Sequence, residues 1–253
     1  MRFILTIFTF LSITFGVVNS FGQELVSHSN SRGKMWTYAD YNIQGWKVYI
    51  EDKLLGQEAL IDDLKTQLQN DLTNLVNIIP SSALKKIKQI PIWVSNEVNY
   101  PFRPGEKGTI PFHQSAEWLD SKNLNPKMEH GVHIINPYEV LYVHKIFSWG
   151  PMTLLHELSH GYHTLFLKDD YLPVLKAYRL ALASGKYLQV PSRRNENILV
   201  KAYAATNVKE YFAEVTEAYF GINDWFPKTK LELSQYDPIG FGVVEEAWGI
   251  TSN

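Results

Sequence analysis

Cysteine is absent from all 253 residues. Its absence excludes a disulfide framework, thiol catalysis, a thiolate metal site and a lipidated N-terminal cysteine. An excess of one charge is lacking too. Lys and Arg number 24 against 26 Asp and Glu, a formal net charge of −2, so nothing points to nucleic acid or an anionic membrane as partner. Long apolar runs are scarce. The one candidate, Phe3 to Val18, is broken by Thr6, Thr9, Ser12 and Thr14 and is about as short as the ~17 residues a membrane span needs. It follows the positive Met1-Arg2 and ends near the small residues Ser20 and Gly22. That layout reads as a signal peptide over residues 1–22, cut before Gln23; an uncleaved anchor is the alternative. On this reading the protein is exported, secreted or periplasmic, and free of the membrane after cleavage.

What is present argues for a compact globule: 45% apolar residues, 13% of the chain aromatic, enough to build a real core. Residues 23–40 are polar and mixed and read as a flexible lead-in, leaving 41–253 as a single domain of two lobes. A small hairpin is expected from Gly45–Ile50, a turn at Glu51-Asp52 and Lys53–Leu55. Leu60, Ile61, Leu64, Leu68, Leu72, Leu75, Val76 and Ile79 recur at threes and fours, predicting a long amphipathic helix that Pro80 ends. A short serine-capped helix over Ser81–Ile87, a strand over Ile90–Val94, a Pro/Gly-rich loop over 96–115 and a strand over Gly131–Ile135 follow. Helices are expected over 137–147, from Gly150-Pro151 to Leu167, over 171–184, over 209–220 and near 243–248. Many helices and few strands make the fold class α+β, helix-rich with a small sheet.

His156-Glu157-Leu158-Ser159-His160 carries the chemistry. On a helix, two histidines four apart share one face and can grip a single zinc ion, and the glutamate between them can take a proton from water. Glu157 is displaced about 100° from His156, beside the metal rather than on it. A catalytic zinc takes three protein ligands. A third histidine further along the same helix is excluded, because the positions that would hold a glycine and that histidine hold His163 and Phe166. His163 is better placed to flank the cleft. A later helix supplies carboxylates instead: Glu210, Glu214 and Glu217 lie on one face, among aromatic residues where unpaired acids are costly to bury. Spacing leaves open which of the three binds metal and which orients a histidine.

The segment Tyr203-Ala204-Ala205-Thr206-Asn207-Val208-Lys209-Glu210-Tyr211-Phe212-Ala213-Glu214 resembles the second motif of the anthrax lethal factor-like metallopeptidases, which are gluzincins. In that family a tyrosine precedes the glutamate ligand by seven residues and a second glutamate follows it by four. The match covers roughly residues 150–222, and nothing before residue 110 carries it. The resemblance implies a zincin-like metallopeptidase fold whose lobes flank a zinc cleft, with Zn2+ on His156, His160 and Glu210. It implies that Glu214 hydrogen-bonds a ligand histidine and that Tyr203 donates to the oxyanion of the tetrahedral intermediate. It further implies an extended peptide substrate held on an edge strand, assigned here to His133, Ile134, Ile135 and Asn136. The expected activity is that of a secreted zinc metallopeptidase of the endopeptidase type with Glu157 as general base, acting on a peptide or protein. The alternative is an exported zinc-binding module without activity, adhesion-like or inhibitor-like. His113, His130 and His144 are expected to be structural.

Overall fold

The computed structural model describes residues 17–18, 24–97, 100, 110–147, 152–192 and 195–250. The leader, apart from Val17–Val18, lies outside the described residues. So do Pro101, Pro104, Gly105 and Gly108 of the expected loop, and the Gly150-Pro151 helix start.

Strands β1 (Val17–Val18), β2 (Glu24–Ser29), β3 (Met35–Ile43) and β4 (Trp46–Glu51) pair in succession, each antiparallel to the one before. Residues 24–40 are therefore strand and turn rather than a flexible lead-in. Trp36 and Tyr38 are buried on one face of β3 and Ala39 and Ile43 on the other, with Thr37, Asp40 and Asn42 interleaved, so the segment resembles a tail when only polarity is weighed. The hairpin also falls elsewhere than expected. Ile43 pairs with Trp46 across a two-residue turn, with Gln44 at φ 53° and Gly45 at φ 89°. Two positive φ values suit the right-handed twist of the flanking strands. After Glu51 the chain enters α1 (Asp52–Leu55) instead of returning as a strand.

Helices α2 (Glu58–Ile78) and α3 (Ser81–Ile87) follow as expected, α3 without a side-chain cap. Strand β5 (Ile92–Val94), helix α4 (Ala116–Ser121) and strand β6 (Val132–Ile134) come next. The six-stranded sheet has the order β1-β2-β3-β4-β5-β6, with β4, β5 and β6 parallel. Ile92 and Val94 face one core and Trp93 another. The larger core joins the sheet to α2 and to the helices beyond, and a smaller one gathers Trp36, Tyr38, Trp93, Leu119 and Met128.

The second half is helical: α5 (Pro137–Ile146), α6 (Met152–Tyr162), α7 (Leu172–Ala183), α8 (Val208–Phe220), α9 (Lys230–Tyr236) and α10 (Pro238–Trp248). A minor pair, β7 (Val190–Pro191) and β8 (Leu199–Val200), precedes α8. The fold is α+β. The tail helix is longer than its apolar residues suggest, because Asp237 caps it at Gly240 and Pro238 fits its first turn. Helix α9, unexpected from periodicity, starts on a Thr229–Glu232 capping box. No helix among the described residues is long and apolar enough to cross a membrane.

Candidate metal centre

Helices α6 and α8 pack face to face and carry the site between them. The stripe Leu155, Leu158 and Tyr162 buries α6, with Tyr162 stacked on Trp248 at 4.4 Å. Burying that stripe turns His156 and His160 toward α8, their rings 4.8 Å apart. Gly161 lets α6 approach its neighbours: a Cβ there would lie 2.6 Å from Ile90 Cδ1 and 3.0 Å from Phe112. Past Tyr162 the helix widens to i→i+5 hydrogen bonding over His163–Leu167. Such wide turns recur beside functional sites.

Asn207 sets the start of α8. Its side chain accepts from the N–H groups of Lys209 and Glu210, fixing Glu210 in the first turn. From there Glu210 Oε2 lies 3.1 Å from His156 Nε2 and 3.2 Å from His160 Nε2. Donors of a tetrahedral site with ~2.1 Å metal bonds lie about 3.4 Å apart, so each of these two separations is compatible with a shared ion. His156, Glu157 and His160 also offer donor atoms within 4.8 Å of one another, as do His156, Glu214 and Glu217. These buried His/Glu groups can hold a metal ion. Of the three carboxylates that spacing left open, Glu210 is the one that reaches both Nε2 atoms.

The orienting contact comes from a different glutamate than the resemblance implies. Glu217 Oε2 lies 3.1 Å from His156 Nδ1. Glu214 Oε1 is 3.7 Å from the same nitrogen, too far for a hydrogen bond, and its other oxygen accepts from Asn223 at 3.1 Å. One further turn of helix brings Glu217 over the imidazole, so seven-residue spacing wins over four.

Electrostatics follow from this crowding. Burial raises Glu210, but the charges and hydrogen bonds of His160 and His156 outweigh it and hold the carboxyl well below its usual range. Burial lowers His156, yet Glu217 and Glu210 outweigh it and hold the imidazole well above its usual value. Glu214 and Glu217 are both raised, by burial first; the like charge of Glu217 adds to the shift of Glu214. Glu157 is raised by burial against the pull of His160 and His156. A cation is the natural compensation for so many acids in little water.

Glu157 is held by a contact that sequence reasoning did not reach. Its Oε2 accepts a 2.7 Å hydrogen bond from the Phe112 N–H. That donor is a main-chain atom in an irregular segment, so no residue type announces it. Tyr203 lies in a tight turn, Tyr203–Ala205, braced by the Ala202 N–H donating to the Tyr187 carbonyl at 2.8 Å. Its ring stacks on His156 at 6.1 Å and it is 41% exposed. Burial and then the Glu210 charge raise its hydroxyl, so it is a neutral donor.

The assignment of substrate contacts to residues 133–136 is corrected. His133 and Ile134 are fully buried, and Ile135 nearly so. Asn136 caps α5 by accepting from the Glu139 N–H. Strand β6 ends the sheet, but its outer side is covered: His133 N–H donates to the Pro111 carbonyl at 2.8 Å, and His113 N–H to the Gly131 carbonyl at 3.0 Å. Phe112 bridges to Val132 between them, so by strand alternation its own N–H and C=O face away from β6. His163 is not surface-exposed either. It is fully buried against Phe212, neither ring nitrogen has a hydrogen-bond partner among the described residues, and burial lowers it to about 4.

No protein-family model, no curated protein and no solved structure matches the chain.

Proposed function

We propose that this chain is an exported zinc metallopeptidase of the gluzincin type, with zinc held by His156, His160 and Glu210. The observation that carries the reading is one carboxylate oxygen of Glu210 within 3.1 and 3.2 Å of both Nε2 atoms, from a helix far along the chain. The ion supplies the Lewis acidity that makes water nucleophilic near neutral pH. The protein's own groups do the rest. Glu157, raised by burial, takes the proton from the attacking water and returns it to the leaving amine. Tyr203 donates to the carbonyl oxygen as charge builds on it. Glu217 fixes the ring plane of His156 through Nδ1. An extended peptide lies along the outward edge of residues 110–114, where the Phe112 carbonyl is oriented to accept from it.

Glu157→Gln is expected to abolish hydrolysis of a mixed peptide library while retaining about one zinc per chain, and His160→Ala to lose both. Unchanged hydrolysis by the Glu157→Gln protein overturns the mechanism. Stoichiometric zinc without hydrolysis of any peptide by the natural sequence favours the non-catalytic, zinc-binding alternative.

A further inference from the structure

A chain of buried polar side chains lies behind the site and has no part in the chemistry above. Ser95 Oγ, just past β5, is 2.7 Å from His133 Nε2 on β6. His133 Nδ1 is 3.1 Å from His113 Nε2. All three residues are at most 3% exposed. Burying three polar side chains is costly unless each finds a partner, and a single chain of two hydrogen bonds supplies those partners. Two neutral imidazoles and one hydroxyl satisfy it in either direction, with the hydroxyl as first donor or as last acceptor. Burial keeps both rings neutral, lowering His113 to about 4 and holding His133 well below its usual value.

The chain ends one residue from the catalytic carboxylate's donor. His113 is also anchored by its backbone, donating to Gly131 and accepting from the His130 N–H at 2.7 Å. On its far side, Gln114 accepts from Lys209 Nζ at 2.9 Å, beside Glu210 on α8. Pro111, whose carbonyl accepts from the His133 N–H, and His113 flank Phe112 and leave it little freedom, and its N–H meets Glu157.

We propose that His113 is a positioning residue for the candidate active site: held by His133, and through it by Ser95, it fixes the Phe112 main chain whose N–H holds the Glu157 carboxylate. The proposal rests on the metallopeptidase reading for its effect on rate, but its structural part stands without it. A small displacement of a catalytic group can cost ~100-fold in rate, so loosening this anchor acts on turnover more than on binding.

The test uses the full chain, zinc-loaded and 15N-labelled at phenylalanine. The Phe112 amide proton, bonded to a carboxylate, should resonate far downfield and move upfield in Glu157→Gln. Ser95→Ala and His113→Phe should move the same proton upfield with zinc content unchanged. Hydrolysis of a library peptide should lose about tenfold in kcat with KM within about twofold. Ser95→Thr, which keeps the hydroxyl, should restore both readings. Ile61→Val, which thins the core on α2, should lower stability without moving the Phe112 resonance. If Ser95→Ala and His113→Phe leave that resonance in place and only lower stability, the chain is packing and the proposal fails. If the resonance responds as expected but the natural sequence hydrolyses nothing, the positioning stands and the metallopeptidase reading falls alone.

Discussion

Glu217 is the residue whose role depends most on geometry. Its carboxylate meets His156 Nδ1 at 3.1 Å while the ring's other nitrogen points at Glu210. Glu217→Gln keeps an acceptor but removes the charge that raises ligand basicity. It should weaken zinc about 10- to 100-fold, read by chelator competition, with the fold intact by circular dichroism. Glu214→Gln, whose carboxylate hydrogen-bonds Asn223 instead, should weaken it much less. Equal losses in the two variants would return Glu214 to the orienting role. Tyr203 is exposed and stacks on His156, so Tyr203→Phe should fold normally. It should lower kcat about 100-fold with little change in KM, as loss of one oxyanion donor does. A KM effect alone would make it a substrate contact.

Elements position these residues. The Asn207 side chain satisfies two of the free N–H groups at the start of α8. Asn207→Ala should lower stability by about 1 kcal/mol in urea unfolding. It should also weaken zinc, because Glu210 sits in the turn that would fray. Unchanged zinc affinity would mean the α6–α8 packing holds Glu210 unaided. At Gly161 the helix lies so close to Ile90 and Phe112 that an added methyl forces one of them to move. The His156 pair was legible because four-residue spacing on a helix is local geometry. The Gln44-Gly45 turn is also present in the sequence, but the polar Glu51-Asp52 pair competes with it as a turn signal. Strands β2 and β3 resemble a polar tail because residues 25–29 include no buried residue and the buried residues of β3 are interleaved with Thr37, Asp40 and Asn42. The anchoring of Phe112 carried no signal at all, since a backbone N–H is the same in every residue but proline.

Across the whole molecule, a buried pair ties α5 to α2: His144 Nε2 lies 2.7 Å from Asp71 Oδ2. Burial lowers His144, but the hydrogen bond and charge of Asp71 outweigh it, and the net shift is upward. A raised imidazole stabilises the fold fully below its unfolded value of about 6.5, and the contribution is lost as pH rises through the folded value. His113 acts oppositely. Lowered to about 4 by burial, it contributes fully above about pH 6.5 and less as pH falls below that. Urea midpoints at pH 6 and pH 8.5 should therefore show the natural sequence losing more stability at the higher pH than His144→Gln does. Parallel profiles would show the pair to be indifferent to charge.

Sequence alone determined the α+β class, the long helices and the identity of the two histidines and the glutamate between them. Each follows from periodicities and spacings shorter than a few turns of helix. Tertiary structure decided the rest. Which of three acids on one face meets the metal site depends on how α8 is rotated against α6, and that rotation is set by burial of Tyr211, Phe212 and Val215. Which strand edge is covered depends on residues 111–113 lying against β6. Both are contacts between segments distant in the chain, and they are fixed only when the cores close around them.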